Sequence, residues 1–126
     1  MLDTHAFLWL GDSSGGQATK GMRALWKRAD VTFGLSIASV WEMAIKVGLG
    51  RLVLPTTLPE TIQAGVDQGV QVLPIRVEYK YRVESLPRLH GDPFDRLLAA
   101  TCLVEGWSLM SADRIFDDYG VRRAGK

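Results

Sequence analysis

The sequence has little of several features that mark particular classes of protein. One cysteine, Cys102, occurs among 126 residues, which excludes an internal disulfide framework or a cysteine-rich zinc site and favours a reducing compartment. No run approaches the roughly 18 apolar residues that a membrane-spanning helix needs. The apolar stretch at residues 6–10 follows Asp3 and His5 instead of a basic segment, so it lacks the pattern of a secretory signal. These absences predict a cytoplasmic protein without a membrane partner.

The sequence also lacks an excess of charge of either sign. Fifteen Lys and Arg residues against fourteen Asp and Glu residues give a net charge of +1, so no bulk electrostatic field indicates a polyanionic partner. Hydrophobic residues make up 47% and charged residues 23%, which is typical of a globular chain and not of a disordered one. The length suits one domain and is too short for two ordinary ones. We therefore expect a single domain over residues 1–126.

Short apolar runs alternate with helical patterns along the chain, and this alternation predicts an α/β fold with a mainly parallel sheet covered on both faces. Asp92 followed by Pro93 predicts the start of one strong helix, and Gly106 predicts its end. In the helix predicted at 39–47, the spacing of Trp41, Ala44 and Ile45 predicts a face turned to the core. The tail, residues 122–126, is expected to be frayed. The first predicted strand ends at Leu2, further strands are predicted at 31–37, 70–75 and 107–110, and a last one begins at Val121. The predicted helices cover 4–10, 18–29, 39–47, 57–68, 77–85 and 92–105.

Four acidic residues lie at the ends of predicted strands or in the first turns of the helices that follow them. In parallel sheets, ligands bind beyond the carboxyl ends of the strands, so these side chains could converge on one edge. Gathered carboxylates repel one another unless a cation neutralises them, and oxygen ligands without a His or Cys cluster favour Mg²⁺ or Mn²⁺ over zinc. A cation held in this way commonly activates the water that attacks a phosphodiester. The four residues are Asp3, Glu42, Asp95 and Asp113.

Each of these acids also has a purely structural interpretation, which the spacing alone leaves open. Glu42 precedes Lys46 by four residues, as in a stabilising helix pair. Asp95 in a first helical turn favours the helix dipole, and Asp113 could cap the turn that follows it. Asp3 could be an exposed terminal residue.

Five segments carry a more specific signal because they occur in one order along nearly the whole chain. They are residues 2–9 (LDTHAFLW), 39–46 (SVWEMAIK), 49–52 (LGRL), 92–98 (DPFDRLL) and 111–113 (SAD). Together they resemble PIN-domain ribonucleases and, more narrowly, the VapC toxins of bacterial type II toxin–antitoxin modules. Only Met1 and Leu2 precede Asp3, which is fewer apolar residues than family members usually have.

The resemblance implies a three-layer α/β/α PIN-like domain that binds Mg²⁺, with Mn²⁺ able to substitute, and that cleaves tRNA, rRNA or mRNA. A metal-activated water would attack the phosphate in line and leave a 3′-hydroxyl and a 5′-phosphate. Glu42 would orient a metal-bound water or hold a second ion. The implied catalytic residues are Asp3, Glu42, Asp95 and Asp113, of which Asp3, Asp95 and Asp113 would be metal ligands, with Ser111 and Thr4 as supporting residues.

The same resemblance implies two protein partners. A small antitoxin would lay an amphipathic helix into a groove beside the active site, a mode of binding for which apolar residues 52–54 are candidates. A second copy of the chain would complete a homodimer.

Several other residues keep more than one interpretation. Arg96 and Arg114 each follow one of the four acids and could hold RNA phosphate, steady the carboxylates, or be ordinary surface charges. His90 could approach substrate or lie on a loop surface, and Cys102 is expected to be a core thiol.

A metal-binding domain that regulates a partner protein without catalysis is the alternative from another class. Signalling receiver domains also gather carboxylates at strand ends around Mg²⁺. They require a pair of acids after the first strand and a Lys after the last. Here a single Asp3 follows the first strand, and no Lys occurs between Arg82 and Lys126, so the pattern disfavours a receiver.

Overall fold

The structure is a computed structural model that describes residues 1–12, 16–89 and 91–126. His90 and most of the glycine- and serine-rich loop at 13–16 lie outside the described residues. In the described parts of the chain, no helix is both long and apolar enough to cross a bilayer. The helices are α1 (Thr4–Gly11), α2 (Lys20–Trp26), α3 (Ile37–Gly48), α4 (Leu58–Asp67), α5 (Val77–Glu84), α6 (Pro93–Glu105) and α7 (Ile115–Asp118), and the strands are β1 (Phe33–Ser36), β2 (Val70–Leu73), β3 (Leu109–Met110) and β4 (Arg123–Ala124).

Local end signals set the helix boundaries close to where the sequence predicts them. The Asp92 side chain accepts hydrogen bonds from the backbone N–H groups of Phe94 and Asp95 and so caps α6. Gly106, with φ of +70°, ends that helix in the left-handed conformation that glycine adopts without strain. Thr57 caps α4 in the same way as Asp92, by accepting from the Glu60 N–H.

All strand pairs in the described residues are parallel, as expected. Strand β1 pairs with β2, and β3 pairs with β4. Leu2 forms single parallel bridges to Leu35 in β1 and to Met110 in β3. The order across the sheet is therefore β2, β1, the Leu2 segment, β3 and β4, with the segment that carries Asp3 at the centre.

Two apolar clusters cover the two faces of this sheet. Leu109 and Met110 are neighbours on β3, and their side chains belong to different clusters, because successive side chains of a strand point to opposite faces. One cluster joins Met110 and Leu2 to α1, α2 and α3, and the other joins Leu109 to α6 and α7. The structure thus confirms the expected α/β/α arrangement.

The C-terminal segment corrects one prediction, because residues 122–126 are not frayed. Arg123 and Ala124 form β4 against β3. The Thr19 hydroxyl donates a hydrogen bond of 2.5 Å to the Gly125 carbonyl. A Cβ atom at Gly125 would stand 2.9 Å from the Met22 backbone, so glycine allows the tail to pass closely over α2. Tertiary contacts with α2, which no local pattern reveals, hold the tail.

Helix α3 corrects a second prediction, because Trp41, Ala44 and Ile45 do not form its core face. Trp41 is 61% exposed, and its ring meets that of Phe94 edge to face at 5.5 Å between centroids. The helix carries two possible inward faces, and the one that is buried includes an acid. The buried residues are Ala38, Ser39, Glu42 and Met43.

Candidate active site

Asp3 is held rigidly although the strand before it is very short. Leu2 is fully buried between two strands, and the Asp3 N–H donates to the Met110 carbonyl at 3.1 Å. The Asp3 carboxylate caps α1 by accepting from the Ala6 N–H at 2.7 Å. With 7% of its surface exposed, Asp3 is a buried side chain and not a loose terminal residue.

Glu42 reaches the same edge from α3 and is buried with partners on both carboxylate oxygens. Its Oε1 accepts a 2.5 Å hydrogen bond from the Thr4 hydroxyl, and its Oε2 accepts from Lys46 Nζ at 2.7 Å. The helix pair with Lys46 therefore exists, as the structural interpretation predicted. Each oxygen keeps a second lone-pair direction, so Glu42 can still accept a hydrogen bond from a further donor.

Asp95 lies in the first turn of α6, half-buried. Burial, and after it the negative charges of Asp92, Glu42, Asp113 and Asp3 in that order, together raise the pKa of its carboxyl to about 7. All four predicted acids therefore lie near enough to one another for the charges of the other three to act on Asp95. Such a site favours either a proton or a cation.

Asp113 and Ser111 follow β3 at the same edge. Asp113 is exposed, and its side chain accepts from the Ile115 N–H at 3.0 Å, so it does cap the turn that follows it. Its own N–H donates to the Ser111 hydroxyl oxygen at 3.1 Å. Ser111 is fully buried, and its hydroxyl also hydrogen-bonds the Asp3 side chain. Ser111 thus links the acid of the central strand to the loop that carries Asp113.

The pKa of Asp3 is raised as well, chiefly by burial. Hydrogen bonds from Ser111 and Ala6 and the nearby charge of His5 act in the opposite direction, whereas Glu42 raises the pKa. Burial and like charge therefore oppose ionisation at two separate acids of the edge. A cation would relieve both effects.

The donor chemistry fits a hard divalent cation, because every candidate ligand is a carboxylate oxygen whose charge needs neutralising. As the side chains stand, no three His, Cys, Asp or Glu residues of the described chain are close enough together to hold a metal ion.

Arg96 turns out to be a structural residue. Its guanidinium donates to the carbonyls of Pro87 at 2.8 Å and Val83 at 3.2 Å, and it lies over the Tyr119 ring. It therefore fastens α6 to the segment that precedes it. Arg114 is exposed beside Asp113. Cys102 is a buried core thiol, as expected, and burial raises its pKa to about 11.

Arg123 is a site-supporting residue that the sequence analysis missed, because it lies in the tail expected to be frayed. It bonds both carboxylate oxygens of Asp117, at 2.8 and 2.7 Å, and donates to the Ser111 carbonyl at 3.2 Å. Its side chain is only 8% exposed. No motif in the sequence marked it, since its role depends on the pairing of β4 with β3.

Comparisons with known proteins agree with this architecture. The family model for the PIN domain matches residues 1–121. One similar solved structure is that of VapBC2 from Rickettsia felis bound to a DNA fragment from their promoter, with a TM-score of 0.70 and 13% sequence identity over 98% of this chain and 94% of that chain. A search of curated proteins gives no significant match. Because the family model covers nearly the whole sequence, the chain belongs to the PIN domain family.

Proposed function

We propose that this chain is a Mg²⁺-dependent endoribonuclease of the VapC type, acting in the cytoplasm as a single domain over residues 1–126. The observation that carries the proposal is that hydrogen bonds join the acid-bearing segments: Thr4, next to Asp3, donates to Glu42, and Ser111 contacts both Asp3 and the Asp113 N–H. The charges of Asp3, Glu42 and Asp113 also act on Asp95. Membership of the PIN domain family and the five ordered segments support it.

In this proposal, Asp3, Asp95 and Asp113 hold the cation, and Mn²⁺ can replace Mg²⁺. The bound cation supplies the positive charge that polarises a phosphodiester and activates water for its hydrolysis. Glu42 orients the attacking water with its free lone pairs, and Thr4 keeps the Glu42 carboxylate in place through its hydrogen bond.

Ser111 holds Asp3 by the hydrogen bond between their side chains, so that the Asp3 carboxylate is positioned before substrate arrives. The products are a 3′-hydroxyl and a 5′-phosphate, and the substrate is an RNA such as tRNA, rRNA or mRNA.

The proposed antitoxin partner binds a groove beside the acids. A cavity of about 730 Å³ is lined by Leu52, Val53, Leu54 and Pro55 on one side, with Trp9 among its other residues. His5, which directly follows Thr4, also lines it. An amphipathic helix of a small antitoxin suits such an apolar groove.

The proposed homodimer uses the face of α3 that the core leaves uncovered. Ile37, Trp41 and Ile45 are exposed at intervals of four residues and form one apolar stripe. A second copy would cover this stripe.

Cleavage of single-stranded RNA tests the proposal. With Mg²⁺ present, Asp95→Asn and Asp3→Asn should each reduce the rate of cleavage by about two orders of magnitude or more, because each removes a charge that holds the cation. Asp67→Asn is the matched control, since Asp67 is exposed at the end of α4 and accepts a hydrogen bond from Gln63 on the same helix. EDTA should abolish cleavage, and added Mn²⁺ should restore it.

Cleavage that survives EDTA, or equal rates for the two site variants and Asp67→Asn, would contradict the proposal. A chain that binds Mg²⁺ without cutting any RNA would favour the alternative of a non-catalytic regulatory domain.

A further inference from the structure

A second cavity adjoins the candidate active site and differs from it in charge. It has a volume of about 420 Å³ and lies between the N-terminus of α2, the residues after β3, and the C-terminal segment. We call it the cationic pocket because three basic residues from two segments line it. Its lining includes Ser111, Arg114, Asp117, Arg123 and Lys126.

The positive charge of the cationic pocket exceeds its negative charge. Arg123 is neutralised by its two bonds to Asp117 and is held in a fixed position by them. Arg114 and Lys126 form no ion pair with any residue in the described ranges. The pKa of Asp117 is lowered mainly by its hydrogen bonds with Arg123. The positive charges of Lys126 and Arg114 lower it further, so both act on the pocket electrostatically. No direct ion pair in the described residues therefore occupies these two side chains, which leaves them able to contact an anion.

Ser111 forms a wall shared by the cationic pocket and the acidic edge. Its hydroxyl bonds Asp3, and its carbonyl accepts from Arg123, which lines the pocket. Arg114 directly follows Asp113 in sequence. An anion in the pocket would therefore lie next to the cation that the acidic edge is proposed to hold, so a ligand that reaches both would present one negative group to the pocket and one to that cation.

We propose that the cationic pocket, lined by Arg114, Arg123 and Lys126, holds a backbone phosphate of the RNA strand next to the phosphodiester bond that is cut. This inference rests on the proposed function. A nucleic acid strand carries one phosphate per nucleotide, so a phosphate at the acidic edge brings a neighbouring phosphate with it. Contacts of this kind position a strand without reading its sequence. Arg114 suits the role because the planar fork of an arginine binds phosphate oxygens in pairs, whereas the fork of Arg123 is occupied by Asp117 and the Ser111 carbonyl.

The test compares two double variants that each remove two positive charges. Arg114→Gln with Lys126→Gln removes the free charges of the pocket. Arg51→Gln with Lys80→Gln is the matched control, because both residues are exposed and neither lines the pocket. Binding of a fluorescent single-stranded RNA is measured over a range of salt concentrations, with Asp95→Asn added to every protein to prevent cleavage. Cleavage rates are measured without Asp95→Asn.

In the pocket variant, the slope of log affinity against log salt should be shallower by roughly 0.7, the contribution of one phosphate on a single strand. Its KM should rise while kcat stays within about a factor of two, as for the loss of a uniform binding contact. The control variant should match the wild-type chain in both measurements.

Three outcomes would overturn the inference. Equal RNA binding by the two double variants, with the wild-type chain active, contradicts the pocket assignment alone. A wild-type chain that neither binds nor cuts RNA contradicts the proposed function together with the pocket. If the pocket variant keeps RNA binding but loses binding of an oligoglutamate peptide, the pocket serves an acidic protein segment instead.

Discussion

The acidic edge consists of two halves that the fold treats differently. The buried half comes from the start of α1 and from α3, where Asp3 and Glu42 are nearly inaccessible and each accepts hydrogen bonds from fixed donors. The open half comes from the start of α6 and the loop after β3, where Asp95 is half-buried and Asp113 is exposed. Both halves belong to one electrostatic site, since each contributes to the raised pKa of Asp95.

This difference indicates a division of labour. A buried carboxylate with fixed donors is preorganised, so it can define where a cation and a water must stand. An exposed or half-buried carboxylate can adjust its position, as binding of the proposed cation and RNA strand would require. Hydrogen bonds in the folded chain therefore position the carboxylates of the buried half. The carboxylates of the open half would be positioned and neutralised by the cation that they are proposed to bind. Substitutions in the buried half should therefore change folding stability through lost hydrogen bonds, and substitutions in the open half should change it through charge in the absence of a cation.

The largest expected effect on the free energy of unfolding comes from a substitution of Asp95 in the metal-free protein. With a folded pKa of about 7 and an ordinary value near 3.8, the folded chain keeps a proton that the unfolded chain has lost. Folding stability should therefore fall as pH rises from about 4 to about 7. Asp95→Asn removes this loss, so in EDTA it should be more stable than wild type above pH 7 and nearly equal to it at pH 4. Urea unfolding at several pH values measures the difference.

Asp113→Asn provides the control for that experiment in the same half of the edge. Asparagine can still cap the turn at Ile115, and an exposed substitution changes the free energy of unfolding by no more than about 0.5 kcal/mol. If Asp113→Asn stabilises the metal-free chain at pH 8 as much as Asp95→Asn does, the burial of Asp95 is not the main cause.

The next effect is in the buried half, at Thr4. Thr4→Val keeps the shape of the side chain but leaves Glu42 Oε1 without its hydroxyl donor, which should cost about 1–3 kcal/mol of folding free energy. Thr4→Ser keeps the hydroxyl and is the matched control. Urea unfolding at pH 7 distinguishes them, and equal stabilities of the two variants would argue against the hydrogen bond as the stabilising contact.

The smallest expected effect is at Ser111, where the two halves meet. Ser111→Ala removes the hydrogen bond that lowers the pKa of Asp3, so that pKa should rise. The loss in stability should be about 1 kcal/mol, the usual contribution of one hydrogen bond. Titration of the Asp3 carboxyl by NMR in the metal-free protein measures the shift. An unchanged pKa would show that Ser111 does not couple the halves.

Much of the local structure was predictable because its causes are local. Asp92, Pro93 and Gly106 mark the ends of α6 by capping and by glycine geometry, and the structure confirms both ends. The inward face of α3 was not predictable in the same way, since Trp41 and Met43 both mark apolar stripes. The choice between them depended on packing against α1, where Thr4 offers Glu42 a hydrogen bond.

The four acids were identifiable by their type and their positions after strands, but their environments were not. By itself, the sequence determined the alternation of strands and helices, the helix ends, and the membership of the PIN domain family. Only the tertiary structure decided that Glu42 is buried and Asp113 exposed, and that Arg123 reaches Ser111 from a strand at the end of the chain. The physical reason is range: capping and periodicity act within a few residues, whereas burial, pKa and charge pairing depend on segments that meet only after folding.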